Sequence, residues 1–226
     1  MKHNSGKLIL RKEWGRLRDK DTRFFQQVLP AFNRLSVETL NANRHRLLPE
    51  TIDAFNLFSI ICKTRQWEWP WAIKQVYNNF GSIRRSGLNV LDIGCGFRPF
   101  TLFLRSLGYN VTAVDDMSWE HKEDLGVLLG ELGINFIEAK AEDLPFQSET
   151  FDCAFCISVM EHCPTEIVKQ IVSEGCRVTK NDGLFVATID AHDSVQSLLP
   201  EYTIPGDVVA TFEGKPVAGV VFRGSK

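Results

Sequence analysis

From about Asn89 onward, short apolar runs alternate with stretches of helical periodicity, and this alternation constrains the fold more than any other feature of the chain. The apolar runs are NVLDI, YNVTAVD, INFIEA, FDCAFCIS and LFVATID. Strands that alternate with helices in this way predict a parallel sheet. Right-handed crossovers would then place helices on both of its faces. We therefore expect a doubly wound α/β fold, with helices over residues 99–107, 120–132 and 164–176.

The C-terminal stretch departs from this rhythm. DVVATF and PVAGVVF flank the tripeptide EGK, which predicts an antiparallel hairpin at the edge of the sheet. Together with the five preceding strands, the hairpin predicts a mostly parallel, seven-stranded sheet. The sequence KNDG is expected to form the turn that leads into the fifth strand.

Residues 1–85 show helical periodicity and are expected to form an N-terminal helical cap or lid on the α/β domain of residues 86–226. One helix is predicted from about Pro49 and another from Pro70, because their apolar residues recur at helical spacing. Three tryptophans stand between these helices: Trp67, Trp69 and Trp71. They would either pack between the helices and the sheet or form a wall over a substrate.

Charge is distributed unevenly along the chain. The 226 residues carry a formal net charge of -2, which does not favour a general nucleic-acid binder. Residues 1–46, however, hold 11 Lys and Arg against 4 Asp and Glu. This basic segment would either meet an acidic substrate, a partner or a nucleic acid, or simply form solvated helix faces.

The chain shows neither a secretory signal nor an apolar run near the ~20 residues of a membrane helix. Its six cysteines are scattered, which favours reduced thiols and a cytoplasmic location. Cys153 and Cys156 form a CxxC pattern within an expected strand. A spacing of three places them on opposite faces of that strand, so we expect structural cysteines and not a redox or metal pair.

The stretch LDIGCGFRPFT, residues 91–101, places a glycine-containing turn after the first strand of the expected sheet. Such a turn lets backbone N–H groups approach a ligand. The dinucleotide fingerprint would continue to a third glycine or alanine, whereas Gly94 and Gly96 are followed here by Arg98 and Pro99. Asp92 stands where a dinucleotide-binding strand is normally apolar. A carboxylate there suits a ligand with a positive charge near the turn, which disfavours a nicotinamide-dependent enzyme.

The blocks VLDIGCG, VTAVD, AEDLPF, FDCAFCISVMEH and NDGLFVATID follow one another across residues 89–190. In this order and spacing they resemble the class I S-adenosylmethionine-dependent methyltransferases. The resemblance implies a Rossmann-like fold with S-adenosyl-L-methionine as cofactor and S-adenosyl-L-homocysteine as product. It also implies an enzyme that transfers a methyl group by in-line displacement to a hydroxyl or amine of a small-molecule acceptor.

The resemblance also implies site residues by position. Asp92, Gly94 and Gly96 match the motif around the amino-acid end of the cofactor. Asp115 matches the acid that accepts both ribose hydroxyls, and Asp116 is a neighbour able to share that role. Further cofactor-binding candidates come from the same blocks: Cys95, Phe97, Ala141, Glu142 and Ser158.

Arg98 occupies the position of the third glycine in this family's turn. Its side chain would either face solvent or pair with the cofactor's carboxylate, which suits the donor geometry of a guanidinium. Pro99 compensates for part of the change, because its ring presets φ for the first turn of a helix.

Candidate general bases follow the fourth and fifth strands: His162, Asp190 and His192. A hydroxyl acceptor must lose its proton, and histidine titrates near neutrality. Asp190, His192 and Asp193 also have ligand types for a divalent metal. One loop supplies few carboxylates for such a site, so we expect no metal.

Two other functions remain open. An RNA or protein methyltransferase would use the basic segment 1–46, although no RNA-binding module is recognisable. A non-catalytic cofactor-binding subunit would usually carry a damaged motif, whereas Asp92, Gly94, Gly96 and Asp115 are all present.

Overall fold

The computed structural model describes residues 11–14, 23–43, 65–96, 98–118, 123–190, 211–212 and 215–222. The helices are α1 (Arg23–Asn43), α2 (Arg65–Phe80), α3 (Pro99–Ser106), α4 (Glu123–Glu131) and α5 (Thr165–Val178). The strands are β1 (Arg11–Trp14), β2 (Asn89–Ile93), β3 (Asn110–Asp115), β4 (Asn135–Glu138), β5 (Phe151–Ile157), β6 (Thr179–Asp190), β7 (Thr211–Phe212) and β8 (Lys215–Phe222).

The sheet has the strand order β1-β8-β6-β5-β2-β3-β4, and β7 pairs with β8. Strands β2 to β6 run parallel to one another. Strand β8 is antiparallel to β6 and forms the expected hairpin with β7. The α/β character, the mostly parallel sheet and the antiparallel C-terminal strands are therefore confirmed.

The predicted count of seven strands is wrong for the described part of the chain. The described residues form an eight-stranded sheet, in which β2 to β6 and β8 are joined by two further strands. One is β7, and the other is β1, which lies in the segment expected to be helical and pairs with β8. Four residues carry too little local periodicity to predict a strand, and β1 is held by a partner from the opposite end of the chain.

Strand β6 begins at Thr179, so the sequence KNDG lies within the strand and not before it. The β5–β6 register shifts there: Phe151 is opposite Thr179, whereas Cys153 is opposite Leu184. The irregularity surrounds Asp152, whose Oδ1 accepts a hydrogen bond of 2.8 Å from Lys180 Nζ. The predicted turn is therefore a bulge in a continuous strand.

Helix α2 begins five residues before Pro70, so the three tryptophans lie within this helix and not between two helices. The indole rings of Trp67 and Trp71 stack with centroids 5.3 Å apart. A Cβ on Gly219 of β8 would lie 2.4 Å from the Trp71 ring, so α2 packs closely on the sheet. This supports the packing interpretation of the tryptophans. The helix predicted from Pro49 lies outside the described residues.

The hydrophobic core covers both faces of the sheet. One cluster joins the sheet to α1, α2, α3 and α4, and the other joins it to α5. Cys153 belongs to the first cluster and Cys156 to the second, which confirms that the two thiols lie on opposite faces. None of the helices that the structure describes is long and apolar enough to cross a membrane.

Candidate functional site

The glycine turn directly follows β2, and its backbone conformation requires glycine. Gly94 has a φ of 66° and Gly96 a φ of 49°, both in the left-handed region. A Cβ on Gly94 would lie 2.4 Å from Cγ2 of Val159, which follows β5. The N–H groups of Gly94 and Cys95 both donate to the Val114 carbonyl, at 2.8 and 3.0 Å. The turn is therefore pressed against the ends of β3 and β5.

The remaining residues of the turn differ in what they offer. The Cys95 side chain is buried in the core cluster, so only its backbone belongs to the surface of the turn. Burial raises the pKa of this thiol well above its usual range. Phe97 lies outside the described residues.

Asp92 lies on β2 just before the turn and is 3% exposed. Its Oδ2 accepts a hydrogen bond of 2.5 Å from Thr101 Oγ1, in the first turn of α3. Burial raises the pKa of Asp92 from 3.8 to about 7, although the Thr101 hydrogen bond and the charge of Arg98 act in the opposite direction. A buried carboxyl group with a raised pKa is characteristic of functional sites.

Asp115 ends β3 beside the turn and is also buried. Its Oδ2 accepts the N–H of Gly96 at 2.9 Å, and its Oδ1 accepts the N–H of Met117 at 3.0 Å. This carboxylate therefore joins the loop after β2 to the loop after β3. The neighbouring Asp116 is exposed, and its Oδ1 accepts the N–H of Ser118. Of the two acids, Asp115 is the one that contacts the turn.

Arg98 reaches across the turn to the end of β5. Its Nη1 donates a hydrogen bond of 3.0 Å to the carbonyl of Ile157, and its side chain is half-buried. The solvent-facing alternative is therefore wrong, because β2 and β5 are neighbours and the long side chain spans their ends. Pro99 is the first residue of α3, as predicted, and Arg98 precedes it in an extended conformation.

The chain leaves β5 through Ser158, a residue with a φ of 51° that is neither glycine nor asparagine. The Ser158 N–H donates to the Thr188 carbonyl at 2.9 Å. Its hydroxyl donates to Oε1 of Glu68 at 2.6 Å, and the Thr188 hydroxyl donates to the same oxygen at 2.7 Å. Glu68 belongs to α2 and is fully buried. Glu68 was not identified as a site residue from the sequence. Its position between Trp67 and Trp69 was the available signal, because large apolar neighbours indicate a buried stretch of helix.

The other predicted residues follow parallel strands, at the carboxyl edge of the sheet where the glycine turn lies, or they are outside what the structure describes. His162 ends a short 3₁₀ helix after β5 and is exposed. Ala141 and Glu142 are half-buried in the loop after β4. The backbone of Asp190 ends β6 opposite Val217, but nothing is described of the Asp190 side chain. His192 and Asp193, and with them the metal alternative, lie outside the described residues.

Two concave surfaces of the described chain lie away from this edge. A cleft of about 440 Å³ lies between α1 and α3 and is lined by Val28 and Phe103 among others. A second, of about 460 Å³, lies near the amino ends of the strands, beside Asn89 and Asn110. Neither includes the glycine turn, so the candidate site is defined by its residues and their contacts and not by cleft size.

Comparison with known proteins also points to the segment that contains the glycine turn. Residues 91–187 match the model of a family described as methyltransferase domain. The chain is therefore similar to methyltransferase domains over this segment. The match runs from β2 to β6 and so contains the glycine turn, Asp115 and Ser158. The resemblance of the sequence blocks to this family is confirmed.

Curated relatives match more than half of the chain at low identity. The ubiquinone biosynthesis O-methyltransferase of Rickettsia typhi is 27% identical over 135 residues, 59% of this chain and 53% of the relative. The malonyl-[acyl-carrier protein] O-methyltransferase of Buchnera aphidicola is 29% identical over 143 residues, 56% of this chain and 54% of the relative. The chain thus spans about half the length of these relatives.

Solved structures share the fold of the domain. The 1,6-didemethyltoxoflavin-N1-methyltransferase of Burkholderia thailandensis has a TM-score of 0.55 at 17% identity, over 84% of this chain and 89% of that one. The [4+2]-cyclase SpnF has a TM-score of 0.50 at 14% identity, over 68% of this chain and 79% of that one. A cyclase among the neighbours means that the fold alone does not determine the reaction.

Proposed function

We propose that this chain binds S-adenosyl-L-methionine at the glycine turn and transfers its methyl group to a small-molecule acceptor by in-line displacement. The observation that carries the proposal is the placement of the turn between two buried carboxyl groups, Asp92 and Asp115, inside a matched methyltransferase domain. When bound, the cofactor supplies an electrophilic methyl group on a sulfonium.

The chemistry of the two carboxyl groups fits this cofactor. A cationic ammonium or sulfonium near Asp92 would compensate for the burial that raises the pKa of its carboxyl to about 7. Asp115, at the end of β3, offers a hydrogen-bond acceptor for ribose hydroxyls, since a carboxylate has about four lone-pair sites. The pyrophosphate of a nicotinamide dinucleotide, which would face such a turn, is anionic and would be repelled by a carboxylate at the position of Asp92.

The protein's own contribution to the reaction is mainly positioning. Holding the acceptor in line with the methyl group supplies much of the rate enhancement in a displacement of this kind. A hydroxyl acceptor must also lose a proton, and His162 is the proposed base because it is exposed in the 3₁₀ helix that follows β5. Asp190 and His192, which follow β6, are the alternative bases.

We further propose that the acceptor atom is an oxygen. The supporting observation is that both curated relatives above are named O-methyltransferases. An amine acceptor is the second possibility and would need only its neutral form. The N-terminal segment, residues 1–85, is proposed to supply contacts to the acceptor, because it precedes the matched methyltransferase domain.

Calorimetric titration of the purified chain with S-adenosyl-L-homocysteine tests the cofactor, with NAD as the control. We expect micromolar binding of the first ligand and none of the second. Binding of NAD alone would refute the proposal, and binding of neither would favour a non-catalytic subunit. Transfer of a labelled methyl group to panels of phenols, carboxylic acids and amines then tests the acceptor atom.

A further inference from the structure

Helix α2 places a buried carboxyl group against the ends of two strands of the methyltransferase domain. Glu68 is fully buried. Its Oε1 accepts hydrogen bonds from Ser158 Oγ at 2.6 Å and from Thr188 Oγ1 at 2.7 Å. A carboxyl group removed from water is stable only where such hydrogen bonds replace its hydration. These contacts join residues 90 and 120 positions apart in the sequence.

The segment that Glu68 holds has an unfavourable backbone conformation. Ser158 has a φ of 51°, which costs free energy for a residue with a Cβ. Such a conformation persists only where its surroundings determine it. The Ser158 N–H donates to the carbonyl of Thr188, a residue of the neighbouring strand β6. The hydrogen bond to Glu68 holds the Ser158 side chain.

The same segment forms one wall of the proposed cofactor site. Val159 lies against the glycine turn, so closely that a Cβ on Gly94 would approach Val159 Cγ2 to 2.4 Å. The carbonyl of Ile157 accepts the hydrogen bond from Arg98 at 3.0 Å. A shift at residues 157–159 would therefore be transmitted to the turn that is proposed to contact the cofactor.

We propose that Glu68 is a positioning residue: it accepts hydrogen bonds that keep Ser158 in the left-handed conformation and so shape the cofactor site from the N-terminal helix. This inference rests on the proposed function of the glycine turn. Its role is that of an acceptor and not of a proton-transferring base, because its carboxyl group is fully buried behind Ser158 and Thr188.

The substitutions Glu68→Gln and Glu68→Ala separate these roles. The glutamine amide oxygen still accepts both hydroxyls, so E68Q should bind S-adenosyl-L-homocysteine within about threefold of the parent chain. E68A should lose at least tenfold in affinity. A matched control is Gln75→Ala on the same helix: Gln75 is also buried, and its Nε2 donates to the Trp71 carbonyl within the helix. Q75A should leave the affinity unchanged.

A second-site substitution tests the conformation directly. Glycine adopts the left-handed region without strain, so Ser158→Gly should restore most of the affinity that E68A loses. A general base would behave differently: E68Q would abolish turnover with normal binding, and S158G would rescue nothing. Either of those results overturns the positioning role.

Hydrogen–deuterium exchange without cofactor separates this inference from the proposed function. Backbone amides of residues 157–160 should exchange at least tenfold faster in E68A than in the parent chain, and S158G should reverse part of this increase. Unchanged exchange overturns the inference even where the parent chain binds S-adenosyl-L-homocysteine. Faster exchange in a chain that binds no S-adenosyl-L-homocysteine supports the restraint on Ser158 and refutes the proposed function instead. Should E68A not fold, the E68Q and S158G single variants decide the test through affinity and exchange.

Discussion

Replacing Asp92 with asparagine should stabilise the chain, and the gain should grow with pH. Burial raises the pKa of Asp92 from 3.8 to about 7. Between these values the folded state retains a proton that the unfolded state has released. The free energy of unfolding therefore falls as the pH rises through this window, and the loss is complete above about pH 7. Asparagine does not titrate, and its amide oxygen still accepts the Thr101 hydrogen bond.

The magnitude follows from the width of the window. Each pH unit between the two pKa values contributes about 1.4 kcal/mol. The ionised carboxylate thus destabilises the fold by an amount on the order of 4 kcal/mol when no cofactor supplies a further cation beside it. The difference in the free energy of unfolding between Asp92→Asn and the parent chain should widen by about 3 kcal/mol from pH 5 to pH 8.

Urea unfolding at pH 5, 6, 7 and 8, followed by circular dichroism, measures this difference. Asp182→Asn, at an exposed acid, serves as the control and should run parallel to the parent chain. If the free energy of unfolding of Asp92→Asn changes with pH in the same way as that of the parent chain, the reasoning is refuted. Such a result would mean that burial does not penalise ionisation of this carboxyl group.

Three further substitutions test the site, and Gly81→Ala serves as a control for one of them. Asp115→Ala should weaken binding of S-adenosyl-L-homocysteine by about 2–3 kcal/mol in calorimetry, and unchanged affinity would contradict the ribose assignment. Gly94→Ala should lower the free energy of unfolding by more than about 2 kcal/mol, because strain and overlap combine there. Gly81→Ala, with a φ of 74° and no atom within 4 Å, should cost only about 1 kcal/mol in the same denaturation assay. Arg98→Ala should cost about 1 kcal/mol in thermal or urea unfolding, through loss of the hydrogen bond to Ile157, and no change would mean that this bond contributes nothing.

Elements with strong local patterns were predictable from the sequence. The run NVLDI corresponds to β2, and Pro99 begins α3. Both could be predicted because a short apolar run and a proline at the start of a helix are local signals. The edge at which Asp92, Asp115 and Ser158 meet was also predictable. Parallel strands end at the same side of a sheet, and the order of the sequence blocks determined which strands those were.

Elements that depend on distant partners were not predictable in this way. Strand β1 has four residues and exists through its pairing with β8, near the other end of the chain. The start of α2 was misplaced because proline usually marks the first turn of a helix. Here the helix extends five residues ahead of Pro70, and that extension buries Trp67 and Trp69 in the core.

Three separate parts of the chain converge on residues 157–159, the last residue of β5 and the two that follow it. Arg98 binds the Ile157 carbonyl, Glu68 binds the Ser158 hydroxyl, and Gly94 leaves room for Val159. Each contact is made by a residue that looks out of place locally: an arginine at a glycine position, an acid among tryptophans, and a glycine ending a buried strand. All three contact the segment 157–159, which explains their presence. A segment with a strained backbone keeps one conformation only when several neighbouring groups exclude the alternative conformations. Arg98, which stands where the resemblance predicts a glycine, therefore has a structural role, because its side chain connects the loop after β2 to the end of β5.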